Sequence, residues 1–127
     1  IAEAIALKEA IAFIEELGLE TLAHYELSLT KEALAMLSAR KGYHITGGGH
    51  HSHSIISFTI EDIHPHDVGS ILDGSDIAIR AGHHCSQPTM RRFGKIATNR
   101  ISFGCYNTLE DIKKLDKGLD ELEAILR

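Results

Sequence analysis

The chain has 127 residues, 43% of them hydrophobic, which is enough apolar material for one compact domain with a single core. Its formal net charge of -5 and the lack of any block of lysine or arginine argue against a nucleic-acid partner. We expect no membrane span and no signal peptide, and two cysteines are too few for a disulfide framework, so the composition favours a cytoplasmic protein with free thiols.

Two helices are predicted at the start of the chain. The stretch "IAEAIALKEAIAFIEELG" has a helical pattern from Ile1, with no capping residue before it and Gly18 as its C-terminal stop. Its apolar residues occupy nearly all sides, so we expect it to be buried on more than one face, in a chain cut from a longer one. An exposed, slightly apolar helix is the alternative. A second amphipathic run includes Leu29 and Leu37 and ends near residues 41–42.

Short strands and a short helix are predicted next. The glycines at 47–49 form a turn between a strand near 44–45 and a longer strand over 54–60. The stretch "HPHDVGSILD" then predicts a short helix. Pro65 suits its first turn, and Asp67 lies favourably near its positive end.

The remaining elements complete the pattern. "DIAIR" predicts a strand, a short helix runs from Pro88 to about Phe93, and "NRISFGC" predicts a fourth strand. Thr108 and Asp111 resemble a capping box before a last helix with a clean apolar stripe. We therefore predict an α+β domain with a small, mostly antiparallel sheet and long helices packed on one face.

The chemically richest stretch is "IAIRAGHHCSQP", residues 77–88. A cysteine reacts as its thiolate, and Arg80, His83 and His84 supply cationic or hydrogen-bonding groups close to Cys85. The helix predicted at Pro88 adds the partial positive charge of its first amides. Gly82 can adopt a positive φ, which lets the loop turn sharply and project the thiol outward.

The two cysteines have different surroundings. Cys85 is a nucleophile, a metal ligand or a structural thiol, and its polar loop favours a functional role. Cys105 follows "ISFG" and precedes Tyr106, so we expect it to be a small buried filler. Periodicity and composition do not name a reaction.

The motif "RAGHHCSQP" resembles the group II, Suf-type cysteine desulfurases, which are related to the selenocysteine lyases. The resemblance continues upstream through "SFTIEDIHPHDVGSILDGSDIAIRAGHHC" and downstream through "NRISFGCYNTLEDIKKLDKGL". It implies that residues 1–127 are the C-terminal small domain of an enzyme with the aminotransferase-like fold, whose cofactor is pyridoxal 5'-phosphate.

The resemblance also implies site roles. Cys85 would take sulfur from L-cysteine, releasing L-alanine, and would pass its persulfide to a sulfur-acceptor protein for iron–sulfur cluster assembly. Arg100 would clamp the substrate carboxylate and Arg80 would be a second active-site arginine, because a guanidinium matches a carboxylate with two charge-assisted bonds. Gly82, His83 and His84 would support the loop. The full-length enzyme would be a homodimer.

Two departures from the family pattern limit what this chain can do alone. The large domain that would hold the cofactor through a lysine is absent. We interpret Lys95 as a solvated surface lysine and not as its substitute. Asp76 stands where the family usually has glycine, so that turn is expected to differ locally. We therefore expect an isolated domain that is catalytically incomplete.

The chain has nine histidines, which raise the possibility of a metal site. His50, His51 and His53 could bind zinc together with Cys85, but their spacing is loose and a solvated loop is the preferred interpretation, with no metal. His66 falls where some family members have a histidine near the partner's docking site; an ordinary histidine at a helix start is the alternative. Selenocysteine lyase and a non-catalytic metal- or sulfur-carrier module remain the alternative functions.

Overall fold

The computed structural model describes residues 1–47 and 54–126. The helices and strands follow one another in the predicted order, which confirms the α+β fold class. In chain order they are α1 (Ala2–Leu17), α2 (Leu19–Ala39), β1 (Tyr43–Ile45), β2 (Ile55–Ile60), α3 (Pro65–Asp73), β3 (Arg80–Gly82), α4 (Gln87–Arg92), β4 (Thr98–Ser102) and α5 (Leu109–Leu126).

The four strands form one sheet in the order β1-β2-β4-β3, and every pairing is antiparallel. Strands β1 and β3 are therefore its edges. Ile56 pairs with Ile101 at the centre of the sheet, and Phe58 pairs with Asn99. Residues that face each other across antiparallel strands point to the same side, so these four side chains share one face.

Helices α2, α3 and α5 cover that face and form the core with it. Leu37, Leu72, Leu119 and Phe58 have no exposed surface. Burial of each such side chain contributes about 1.5–3 kcal/mol. The apolar stripe predicted for the last helix, Ile112, Leu115, Leu119, Leu122 and Leu126, is confirmed in its first four residues, which are buried. Leu126, at the end of the helix, is exposed. The opposite face of the sheet carries Ser57 and Arg100, which pair across β2 and β4.

The third strand differs from its prediction. "DIAIR" suggested a strand over 76–80, but pairing begins only at Arg80. The backbone of Ile77 instead donates to the carbonyl of Leu72 at the end of α3, 3.0 Å away, so it does not join the sheet. Asp76 takes the left-handed conformation, with φ 56°, where glycine is the easier residue.

Helix α1 is present as predicted and ends at Leu17, before Gly18 with φ 83°. None of its residues is buried in the described structure, and Ile5, Ile11 and Phe13 are half exposed or more. This exposure fits both alternatives, a helix that packs on a further portion of a longer chain and an exposed helix, so both stay predictions. No helix within residues 1–47 and 54–126 combines the length and apolar character needed to cross a membrane.

Candidate functional site

Cys85 lies on a sharp turn that leaves edge strand β3 and enters α4. Gly82 has φ 134°, which confirms the positive φ expected for it, and His84 and Cys85 have φ values of 55° and 57°. Two successive residues other than glycine in the left-handed region cost about 1–3 kcal/mol each. The amide of Ser86 closes the turn by donating to the carbonyl of His83 at 2.9 Å. Cys85 is exposed at its outer side.

His84 fastens this turn to the sheet. Its Nε2 lies 2.9 Å from Oγ1 and 3.2 Å from the carbonyl oxygen of Thr98, which is fully buried on β4. A carbonyl only accepts, so an Nε2–H tautomer fits this geometry. Burial lowers the pKa of His84, and the charge of Arg100 lowers it further. Folding therefore favours the neutral form of the imidazole that anchors the turn.

The two predicted arginines face each other on neighbouring strands. Arg80 of β3 pairs with Arg100 of β4, so both side chains lie on the sheet face opposite the core. Like charges placed directly opposite destabilise a strand pair. Nε of Arg100 is buried, and no residue in the described ranges accepts its hydrogen bond. Such a pair is suited to an anion that satisfies both guanidinium groups.

The thiol and the first of these arginines also meet. Nη2 of Arg80 lies 3.9 Å from Sγ of Cys85, as a weak hydrogen bond. Both residues line an open cleft of about 600 Å³. Arg100 is not among the residues that line it, although it is the strand partner of Arg80. The cleft is lined by His66, Arg80, Ala81, Gly82, His83, His84, Cys85, Ser86, Gln87 and Pro88.

The cleft also brings a distant predicted residue to the loop. His66 belongs to the first turn of α3, where its amide donates to Nδ1 of His64, 3.3 Å away. The two imidazole rings stack with centroids 5.4 Å apart. Helix α3 packs against β3 where Gly69 meets Ala81, which sets His66 at the edge of the cleft.

Two sequence expectations need correction or fall outside the described residues. Cys105 is half-buried, not a buried filler. The chain turns immediately after β4, because the amide of Gly104 donates to Oδ1 of Asn107 at 2.9 Å, and this turn keeps Cys105 out of the core.

The cluster of His50, His51 and His53 lies outside the described residues. Within the described part of the chain, no three His, Cys, Asp or Glu residues form a metal-binding group.

Sequence reasoning missed Thr98, the partner of the His84 anchor. The strand predicted from "NRISFGC" begins at Asn99, so Thr98, the first residue of β4, lay one position outside it. Its spacing of two positions from Arg100 puts both residues on one face of β4. Lys95 was expected to be a solvated surface lysine. It is half-buried in the turn after α4, where its amide donates to the carbonyl of Met90, and it does not line the cleft.

Comparison with known proteins gives one consistent result. The aminotransferase class-V family matches residues 1–115. A probable cysteine desulfurase of Halalkalibacterium halodurans is 46% identical over 121 residues, covering 95% of this chain and 30% of that protein. A cysteine desulfurase of Synechococcus elongatus is 37% identical over 124 residues, covering 98% of this chain and 20% of that protein.

Solved structures agree with these relatives. The apo cysteine desulfurase of Thermococcus onnurineus superposes with a TM-score of 0.83 at 35% identity, over 88% of this chain and 28% of that one. A cysteine desulfurase of Escherichia coli gives 0.86 at 27% identity, over 91% of this chain and 29% of that one. The chain thus spans about 30% of the length of the first of the curated relatives it matches.

Proposed function

This chain belongs to the aminotransferase class-V family, and on that premise we propose that it is the C-terminal small domain of a group II cysteine desulfurase. The observation that carries the proposal is the exposed thiol of Cys85 beside Arg80, on a turn fastened to the strand of Arg100. The coverage of about 30% of the Halalkalibacterium protein supports a small domain within a longer enzyme.

In the proposed reaction, Cys85 attacks the sulfur of L-cysteine. An S–S bond forms between Sγ and the substrate sulfur, and the substrate's Cβ–S bond breaks. The released carbon takes a proton, L-alanine leaves, and a persulfide remains on Cys85. The exposed position of the thiol supports its access both to substrate and to an acceptor protein.

The two arginines would bind the substrate during the same step. Arg100 has a buried Nε available for a charge-assisted bond, and Arg80 faces it across the strands. We assign the substrate carboxylate to Arg100, with Arg80 between that site and the thiol. Gly82, His83 and His84 hold the turn in the conformation that presents Cys85.

The residues of this chain fit the substrate better than they fit pyridoxal phosphate. A lysine that forms an imine with this cofactor is activated by burial or by neighbouring charge. Six of the seven lysines are exposed, and the seventh, Lys95, lies outside the cleft. We therefore assign the cofactor to the large domain of the longer enzyme and derive no step through it from this chain.

The partners follow from the same assignment. We propose that a sulfur-acceptor protein approaches the cleft at Cys85, with His66 on its rim as a contact residue. Assembly as a homodimer, a role in iron–sulfur cluster formation and a cytoplasmic location complete the proposal. The last is supported by two free thiols, Cys85 and Cys105.

Substitution of Cys85 tests the proposal in the full-length enzyme that carries this domain. Cys85→Ala should abolish persulfide formation, because no other group would accept the sulfur, while substrate binding persists. Persulfide is measured by mass spectrometry after a single turnover with L-cysteine. Cys105→Ala is the matched control and should retain the persulfide on Cys85. Persulfide formed at full yield in the Cys85→Ala enzyme would contradict the proposal.

Substitution of Arg100 tests the carboxylate assignment. Arg100→Ala should lower kcat/KM for L-cysteine by about 30-fold to several thousandfold, since loss of a desolvated charge-assisted pair costs about 2–5 kcal/mol. Arg100→Lys should recover only part of the loss, because lysine keeps the charge but not the fork. An unchanged kcat/KM in Arg100→Ala would show that the carboxylate binds elsewhere.

A further inference from the structure

Charge is distributed unevenly along this chain. Residues 77–109 contain five arginines and lysines and not one aspartate or glutamate, whereas the chain as a whole carries a formal net charge of -5. Two of the five, Arg80 and Arg100, belong to the site already described. The other three, Arg91, Arg92 and Lys95, surround the C-terminal end of α4.

These three cations surround a hydrogen-bonded turn that also carries two exposed apolar side chains. Gly94 takes φ 63°, and the amide of Lys95 donates to the carbonyl of Met90 at 3.0 Å, so the end of α4 is closed by hydrogen bonds. Phe93 is 47% exposed and Ile96 is 69% exposed. We call the group Arg91, Arg92, Phe93, Lys95 and Ile96 the α4 surface.

The described residues do not account for the α4 surface. Within residues 1–47 and 54–126, none of its three cations forms a salt bridge, whereas Lys113 and Lys117 of α5 pair with Glu110 and Glu121. Favourable interaction with the helix dipole explains basic residues in the last turn of α4. It does not explain why Phe93 and Ile96 remain exposed beside them.

We propose that the α4 surface docks an acidic protein segment with an apolar side chain, supplied by the acceptor that takes sulfur from Cys85. This inference rests on the proposed function. Helix α4 begins two residues after Cys85 and has 6 residues, so it is about 9 Å long. A segment seated at its far end is thus close enough for the acceptor to reach the thiol. An acidic segment complements the three unpaired cations, and its apolar side chain would cover Phe93 and Ile96.

The experiment measures charge preference at Cys85 without cofactor or substrate. Two synthetic peptides each contain two leucines and one cysteine, which is joined to 5-thio-2-nitrobenzoate as a disulfide; one carries four aspartates and the other four lysines. The Cys85 thiolate attacks the peptide sulfur, a protein–peptide disulfide forms, and the coloured thiolate leaves. The 127-residue chain is used as its Cys105→Ser variant, so that Cys85 is the thiol that reacts.

We expect the acidic peptide to react at least tenfold faster than the basic one at 50 mM salt, since steering by a charged surface accelerates association by about 10- to 1,000-fold. The preference should shrink severalfold at 0.5 M salt because of screening. The triple variant Arg91→Glu, Arg92→Glu, Lys95→Glu should lose most of it. The matched control Lys113→Glu, Lys114→Glu, Lys117→Glu, which makes the same charge change on α5, should keep it.

Two further measurements test whether the turn of Cys85 is intact in the variants and whether the apolar side chains contribute to peptide binding. Iodoacetamide, which is small and neutral, should alkylate Cys85 at the same rate in all variants, which shows that the turn is intact. The double variant Phe93→Ser, Ile96→Ser should react severalfold more slowly with the acidic peptide. It should react at an unchanged rate with an acidic peptide in which serine replaces both leucines. A full preference in the Arg91, Arg92, Lys95 triple variant would overturn the proposal.

A second copy of this chain is one competing occupant. In equilibrium sedimentation we expect the triple variant to have the same association state as the unmodified chain. If the unmodified chain associates and the triple variant does not, the α4 surface is a self-assembly interface and the proposal is overturned. Failure of the desulfurase assignment would appear separately, as an absence of persulfide on Cys85 in the full-length enzyme, with the peptide preference intact.

Discussion

His84 is the residue on which the geometry of the thiol depends. Its imidazole links a turn of two left-handed residues to Thr98, two positions from Arg100 on the same strand. The proposed nucleophile, Cys85, and the proposed carboxylate-binding residue, Arg100, are therefore positioned through one side chain. This makes the protonation state of His84 a matter of stability as well as of site geometry.

A prediction follows for the effect of pH on stability. Burial lowers the pKa of His84 below its ordinary value of 6.5, so folding disfavours its charged form. The contribution of this neutral state is fully present above pH 6.5 and is lost as the pH falls through the lower folded pKa. His84→Gln should reduce the loss of unfolding free energy between pH 7.5 and 5, measured by urea denaturation. His44→Gln, at an exposed position on β1, is the control; an unchanged slope in His84→Gln would contradict this account.

The two thiols should differ in reactivity. Cys85 is exposed on its turn, whereas Cys105 is half-buried beside Leu17 and Tyr25. A short pulse of iodoacetamide should therefore label Cys85 several times faster than Cys105, as read by peptide mass mapping. Labelling in 8 M urea supplies the reference in which the two rates converge. Faster labelling of Cys105 in the folded chain would show that exposure does not govern the difference.

Asn99 is an unexpected polar residue in the core. It is fully buried opposite Phe58, and neither its Oδ1 nor its Nδ2 has a hydrogen-bond partner among the described residues. Burying an unsatisfied amide costs about 1–3 kcal/mol. Asn99→Leu, which has a similar volume, should raise the free energy of unfolding by about that amount in chemical denaturation. A loss of stability would indicate that the amide is satisfied in solution.

At the scale of the elements, one side chain ties α2 to α5. Arg40, only 13% exposed, bonds Asp116 at 2.5 Å, Asp120 at 2.7 Å and Glu123 at 3.0 Å. Burial alone would lower the pKa of Arg40, but its hydrogen bonds to Asp116 and Asp120 raise it overall. The charge is therefore fixed at every accessible pH, and the network loses strength only when the carboxylates become protonated.

Removal of this arginine should weaken the packing of the two helices. Arg40→Met keeps most of the side chain's volume and leaves three carboxylates without their cation, so we expect a loss of about 1–3 kcal/mol in unfolding free energy. Arg40→Lys should restore part of it. Lys113→Met, which breaks an exposed pair with Glu110, should cost less than about 1 kcal/mol. Equal losses in the two methionine variants would mean that burial of Arg40 contributes nothing.

Most of the element order could be predicted from the sequence, because it depends on local periodicity. The stripe of α5 and the stop at Gly18 are examples, and both are confirmed. The strand expected over 76–80 was wrong because a tertiary hydrogen bond, from Ile77 to Leu72, decided its pairing. The Arg40 network joins residues 76–83 positions apart, a separation for which local pattern carries no signal.

The candidate site was likewise predictable only in part. The residue types around Cys85 were visible in one short motif, and Gly82 has the positive φ expected of it. The pairing of Arg80 with Arg100 and the anchoring of His84 on Thr98 depend on the order of strands in the sheet, β1-β2-β4-β3. Strand order is set by packing across the whole domain, so composition and spacing could not supply it.

At the scale of the whole molecule, the sheet separates stability from chemistry. Its one face packs on α2, α3 and α5, and its other face carries Arg80 and Arg100. Leu119→Ala should therefore lower the unfolding free energy by about 2–5 kcal/mol, while native Cys85 keeps its alkylation rate. Arg80→Ala should change that rate and leave stability within about 0.5 kcal/mol. Chemical denaturation and alkylation are measured on both variants. A changed alkylation rate in Leu119→Ala, or a loss of stability in Arg80→Ala, would contradict this separation.

The shortness of strand β3 has a kinetic consequence. Its three residues have a hydrogen-bonded neighbour on one side only, whereas the other three strands form a ladder that does not need them. Segments with so few backbone bonds open far more often than the core does. Opening of β3 would move Arg80 and the attached turn of Cys85 together, many times within the life of the folded domain. If Cys85 carries sulfur as proposed, this motion would present it to an acceptor protein without unfolding of the domain.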